Sequence, residues 1–187
     1  VMAELGMEMG VLEEKEQVII HNLLRFRKIL VRDVMTPRIV VTSADESTSI
    51  GAFHELHQEL PFSRIPLYQE NADKITGYFL RDELLVSVIE ERSAEPLSSI
   101  RRDITVVHEL VPIPDILDDL IEKKEHMSLV VDEFGGVEGI VTMEDIIETL
   151  LGLEIVDELD SDEDMQVLAR KNWEKRAKKM GIIPAGD

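Results

Sequence analysis

Apolar residues near the start of the chain recur with a helical period. Leu12, Ile19, Leu23, Phe26 and Leu30 stand 7, 4, 3 and 4 positions apart, which draws one apolar seam and predicts a helix over residues 11–30. The seam breaks at Met35-Thr36-Pro37-Arg38, because Pro37 has no amide proton and pushes Thr36 out of the helical region. Beyond it the period shortens. Residues 39–42 read as a strand, and a helix follows the Ser47-Thr48-Ser49 cap region to about residue 60. Strands come next at 63–68 and 75–80, separated by a turn rich in Asn and Asp, and then a helix over 82–91.

The same order, β-α-β-β-α, returns downstream. It reads as strand 104–107, helix 112–124 with proline in its first turn, strand 128–132, a Gly135-Gly136 turn, strand 139–142 and helix 144–151. Phe53 aligns with Ile116, Phe62 with His126, Tyr68 with Asp132 and Gly77 with Gly139, at offsets of 63, 64, 64 and 62. A near-constant offset means two copies of one supersecondary unit that pack on each other. The pattern predicts an α+β fold of two such units, flanked by N- and C-terminal helices. The expected divisions are a connector helix at 1–32, a first unit at 33–95, a second at 96–156 and a tail at 157–187. In the tail, six acids fall within the eight residues 157–164, and Met165, Leu168 and Trp173 then alternate with basic residues to predict a terminal helix.

Composition narrows the function classes. The 187 residues include 20 basic and 39 acidic ones, a net charge of -19, which excludes nucleic acid as a partner held by bulk charge. With 44% apolar and 32% charged residues the chain is too hydrophobic for global disorder. The absence of cysteine removes disulfides, thiolate metal sites and a cysteine nucleophile. No apolar run approaches the roughly 18 residues of a membrane helix. The opening residues, with Glu4 and Glu8, do not form a signal peptide. A start at Val1 rather than Met is expected of a piece of a longer chain.

The densest candidate chemistry is Gly139-Ile140-Val141-Thr142-Met143-Glu144-Asp145. A glycine lets backbone come close to a base, and a threonine hydroxyl opening a helix can bond phosphate. A carboxylate three residues on can grip both ribose hydroxyls, while helix N-terminal amides face the phosphates. An ordinary N-cap with acids in its first turn has the same spelling. In the first repeat the matching places hold Leu80 and Glu83, and Asp82 sits one place early, turned by about 100°. One working cleft and one vestigial cleft are therefore expected. His54 and His57 stand three apart, but no third ligand is placed, which favours an ordinary helix face over a metal site. No serine-histidine-acid arrangement and no phosphate-binding glycine loop is present, so no catalytic site is expected.

The two units, the second ending in this stretch, resemble a tandem pair of CBS domains, a Bateman module. Val34-Met35-Thr36-Pro37-Arg38, Ser63-Arg64-Ile65-Pro66, Val131-Asp132-Glu133-Phe134-Gly135-Gly136 and Leu153-Glu154-Ile155-Val156-Asp157-Glu158 resemble the CNNM/CorC group of magnesium-transport proteins, often called hemolysin-like. The resemblance spans residues 31–158, with four motifs in the family's order. It implies a pseudo-twofold pair that binds ATP or AMP, with Mg2+ accompanying ATP, and forms a disc-like homodimer. It further implies a regulatory part on the cytoplasmic side of the cell membrane, following a transmembrane domain of the same full-length chain that transports magnesium or cobalt. A dimerisation scaffold without nucleotide is the competing reading.

By the same resemblance Thr142 contacts phosphate and Asp145 the ribose, with Ile140 and Glu144 in the same binding stretch. Arg64 is the implied phosphate partner, since a guanidinium forks onto phosphate oxygens, and Thr36 lines the cleft, with Arg38 nearby. A surface strand arginine and a plain linker threonine remain open readings of Arg64 and Thr36. In so acidic a chain, with Glu144 beside Asp145, ATP is expected to bind more tightly with magnesium than without it.

Overall fold

The computed structural model describes residues 14–152; the acidic run at 157–164 and the terminal helix expected after it lie outside the described residues. Helix α1, Glu14–Arg25, ends in a 3-10 turn at Phe26–Lys28, short of the expected end at residue 30. The reason is a competing set of hydrogen bonds. Ile113 N–H donates to the Ile29 carbonyl at 3.0 Å and Val31 N–H to the Val111 carbonyl at 2.9 Å, which pulls residues 29–31 straight before the short helix α2, Val31–Val34. The inward face of α1 carries Ile19, Asn22 and Phe26, not the expected Leu23, which is 57% exposed.

Strand β1, Thr36–Pro37, follows. Residues 39–42 form a turn rather than the expected strand. Val40 N–H bonds back to the Pro37 carbonyl at 3.0 Å and Val41 N–H to Arg38 at 3.3 Å, and the chain swings to β2, Ala44–Asp45. Helix α3, Ile50–Leu56, starts where the Ser49 hydroxyl accepts the Ala52 amide at 3.4 Å and stops four residues before its expected end. Next come β3 (Arg64–Tyr68), β4 (Ile75–Leu80) and α4 (Arg81–Ile89), a 3-10 turn at Leu97–Ile100, then β5 (Thr105–His108), α5 (Ile113–Lys123), β6 (Met127–Val131), β7 (Val137–Thr142) and α6 (Met143–Leu151). From β3 onward each element lies within two residues of its expected bounds.

The two repeats form two sheets, β2-β3-β4 and β1-β7-β6-β5. In each, the first strand pairs in parallel and the hairpin antiparallel. Strand β1 precedes the first repeat but pairs with the second, Thr36 opposite Ile140 and Pro37 opposite Gly139. A proline is tolerated there because β1 is an edge. The first sheet receives a matching visitor: Tyr78 and Arg102 exchange backbone bonds of 3.0 and 2.7 Å. This crossing explains the repeated glycine. A Cβ on Gly139 would strike the Thr36 carbonyl oxygen, and one on Gly77 the Arg102 carbonyl oxygen. Gly139 therefore admits a crossing strand.

Register also sharpens the alignment of the repeats. Arg64 faces Leu80 in the first hairpin and Met127 faces Thr142 in the second, offsets of 63 and 62. Both hairpins slip register at the same place, Leu67/Tyr68 and Val130/Val131. Tyr68 therefore matches Val131, one residue before the expected Asp132.

Each repeat has its own core. Ile50, Phe53, Ile65, Leu67, Phe79 and Leu84 fill the first, with Phe53 and Phe79 edge to face at 5.4 Å. Ile113, Ile116, Leu120, Val130, Val141 and Ile146 fill the second, joined by Phe26, Val31 and Met35 from the N-terminal segment. Since successive strand residues alternate faces, Arg64, Pro66, Tyr78 and Leu80 point away from the first core, and Met127, Leu129, Ile140 and Thr142 away from the second. Tyr78, only 4% exposed, donates its hydroxyl to Glu125 Oε2 at 2.8 Å and ties one repeat to the other.

Candidate nucleotide site

Thr142 ends β7 and caps α6. Its hydroxyl accepts the Asp145 amide at 3.2 Å. Asp145 Oδ2 in turn accepts both the Thr142 amide and the Thr142 hydroxyl, each at 2.7 Å. This is a capping box with Asp in the third position, so the cap reading of the motif is realised in full. It leaves Asp145 Oδ1 without a hydrogen-bond donor among the described residues. Burial pushes the Asp145 carboxyl up to about 6; the Thr142 bonds oppose that rise, and Glu148 and Glu144 add to it. The residue as a whole keeps partial solvent contact, so the enclosure concerns the carboxyl group.

A small open cleft lies between the repeats and is lined by Arg38, Val41, Leu129, Gly139 and Ile140, among others. Thr36 borders it through its pairing with Ile140. Thr142 follows Ile140 by two residues on the same face of β7, just past the lining. The side chain of Arg38 is already engaged, its Nη1 lying 2.7 Å from Asp73 Oδ1.

Arg64 is half-buried and forms no ion pair or side-chain hydrogen bond among the described residues. It sits close enough to Tyr78 for its charge to favour the phenolate, against the burial and the Glu125 bond that raise the Tyr78 hydroxyl. Glu125 belongs to the turn that opens β6. There the His126 carbonyl accepts the Met143 amide at 3.0 Å, and Met127 pairs with Thr142. Tyr78 and Glu125 thus connect Arg64 to the start of α6. Neither was a sequence candidate; the signal for Tyr78 was its match to Ile140 at the offset of 62. The structure pairs Thr36 with Ile140 and bonds Thr142 to Asp145, places Arg64 near Tyr78 without joining it directly to the other candidates, and leaves Glu144 facing solvent.

At the equivalent place in the first repeat, α4 starts on Leu80 without a side-chain cap. Arg102 stands where Thr36 stands, and its Nε donates to Glu83 Oε2 at 3.1 Å. Tyr78 takes the place of Ile140. An aromatic ring and an ion pair thus stand where the second repeat has Ile140, Thr36 and Asp145.

The CBS domain family model matches residues 97–152. Together with the repeated β-α-β-β-α units and the crossed edge strands, that match defines a CBS domain pair. The chain is 34% identical to the CBS domain of the bacterial CNNM/CorC family Mg2+ transporter, covering 83% of this chain and 94% of that one at a TM-score of 0.77. It is also 34% identical to a structure of that domain in complex with ATP, covering 74% and 99% at a TM-score of 0.70. The magnesium and cobalt efflux protein CorC of Escherichia coli K12 is 34% identical over 149 residues, 79% of this chain and 51% of that protein. The chain belongs to the CNNM/CorC family. It spans 53% or less of the length of the first curated relatives it matches. Among the described residues no helix is long and apolar enough to cross a membrane.

Proposed function

We propose that the cleft at the start of α6 binds an adenine nucleotide, and that its occupancy regulates a divalent-cation transport domain in the full-length membrane protein. The observation that carries this reading is Asp145, whose buried carboxyl keeps Oδ1 without a donor among the described residues; the cleft between the repeats is lined by Ile140, on the same face of β7 as Thr142. In this reading Oδ1 accepts the ribose hydroxyls, and Ile140 and Thr36 flank the base. The Thr142 hydroxyl and the first amides of α6 meet the phosphates, with Arg64 as their counter-charge. Mg2+, when bound with ATP, supplies positive charge that offsets repulsion by Glu144 and Glu125. The role is regulatory rather than catalytic, exerted from the cytoplasmic side of the membrane by a homodimer. The fit to ATP rests on Asp145 Oδ1 and unpaired Arg64, and is supported by the ATP complex of the related domain.

Calorimetric titration with ATP and Mg2+ tests the reading. Asp145→Ala removes a charge-assisted pair of bonds, an expected loss of about 30-fold to 100-fold in affinity. Equal affinity in the wild type and Asp145→Ala overturns the assignment. Failure of ATP, ADP and AMP to raise the melting temperature of the wild type favours the scaffold reading.

A further inference from the structure

The outward face of α1 and the turn after it combine exposed apolar and basic side chains. Leu23 and Leu24 are 57% and 77% exposed, and exposed Arg25, Arg27 and Lys28 surround them. None of these three bases forms an ion pair or side-chain hydrogen bond among the described residues. Elsewhere in this acidic molecule Arg38, Arg92, Arg101 and Arg102 each meet a carboxylate. The opposite face of α1 is already used, since Phe26 enters the second core. Phe26 and Val31 anchor the segment, so the patch is held rigidly to the second repeat.

A candidate occupant leaves the fold beside this patch. Helix α6 packs on α1, where Asn22 Nδ2 donates to the Leu150 carbonyl at 3.4 Å. It ends at Gly152, whose left-handed φ of 65° turns the chain off the helix axis. Residues 153–164 then carry four aliphatic side chains, Leu153, Ile155, Val156 and Leu159, interleaved with seven acids. An extended chain advances up to about 3.5 Å per residue, so the five residues from Gly152 to Asp157 reach about 17 Å. Arg25 to Lys28 lie within about 10 Å of Asn22 at helical rise.

We propose that residues 153–164, which lie outside the described residues, dock on this face. Their aliphatic residues cover Leu23 and Leu24, and their carboxylates meet Arg25, Arg27 and Lys28. The contact clasps the segment that enters the repeat pair to the segment that leaves it. The tether makes the encounter intramolecular, with an effective concentration in the millimolar range. An anionic bilayer offers the bases the same charge, but the net charge of -19 and the acids emerging beside the patch oppose its approach.

Zero-length carbodiimide coupling of the whole chain, mapped by mass spectrometry, tests the clasp. Lys28 supplies the amine. An amide from Lys28 to an acid within residues 157–164 of the same chain is expected, and Lys28→Arg abolishes it. Raising NaCl to about 1 M shortens the Debye length to roughly 3 Å and lowers the yield at least threefold. Leu23→Ser combined with Leu24→Ser lowers it as well, with the circular dichroism spectrum unchanged because both side chains are exposed. Three results overturn the proposal: no coupling of Lys28 or coupling only to carboxylates outside residues 153–164, coupling only between isotope-labelled and unlabelled chains, or co-sedimentation with phosphatidylglycerol vesicles that protects Lys28 from coupling.

Discussion

In the second repeat the helix after the hairpin starts on Thr142, whose amide and hydroxyl are both bonded to Asp145. In the first it starts on Leu80 with no side-chain cap, and Glu83, in the place of Asp145, is bonded to Arg102. The backbones around these two places match closely, down to the register slip in each hairpin and the glycine under each crossing strand. The repeated frame is therefore set by apolar spacing and by two glycines, while four exchanged side chains distinguish the two ends. Ile140 against Tyr78, Thr36 against Arg102, Thr142 against Leu80 and Asp145 against Glu83 are those exchanges.

The shared part of this comparison breaks first if the glycines are replaceable. Gly139→Val puts branched carbon against the Thr36 carbonyl, and relief requires β1 to leave its sheet. A loss of at least about 4 kcal/mol is expected in urea unfolding. Gly77→Val is expected to cost a similar amount through Arg102. A mild effect at either position breaks the equivalence of the two crossings.

The unshared part is read through pH. The Asp145 carboxyl is raised from 3.8 to about 6 in the folded protein, so the folded state holds that proton more tightly than the unfolded one. The resulting stabilisation is complete below about pH 4 and disappears as pH rises through 6, at most about 3 kcal/mol. Urea midpoints of the wild type and Asp145→Asn between pH 4 and 7 check it: the difference between them is expected to shift across that window in favour of the variant. At the equivalent place Glu83→Gln is expected to change stability by less than about 1 kcal/mol, because Glu83 and Arg102 are both more than a third exposed and such an ion pair contributes little.

A smaller effect tests the join. Tyr78→Phe keeps the ring and removes the 2.8 Å bond to Glu125, an expected loss of about 1 kcal/mol. If Arg64 and the start of α6 communicate through this pair, ATP affinity also falls in the variant. Unchanged stability and affinity detach Tyr78 from the site.

Most of the frame was legible in the sequence. The hairpins and their flanking helices follow from apolar runs bounded by turn residues, and the repeat spacing exposed the duplication. Two features were not, for a physical reason. Residues 26–30 keep a helical apolar pattern, yet Ile29 and Val31 bond through their backbone to residues 111–113, contacts that no local window contains. Residues 39–42 have strand composition, but the chain must turn there to pass from one sheet to the other. Of the candidate site, the Thr142–Asp145 pairing was legible, because its spacing is local. The path from Arg64 through Tyr78 to Glu125 joins three distant positions, and only the folded arrangement discloses it.

Strand β1 has a consequence for synthesis. Thr36 leaves the ribosome 104 residues before its partner Ile140, an interval of roughly 5–20 s at ordinary elongation rates. Throughout that time Phe26, Val31 and Met35 have no second core to enter. The first repeat can close its own sheet, except at the Arg102 edge, while the segment ahead of it stays uncovered. Nascent chains halted anywhere between residues 40 and 130 therefore display the same apolar stretch, which makes it the natural first foothold for a chaperone.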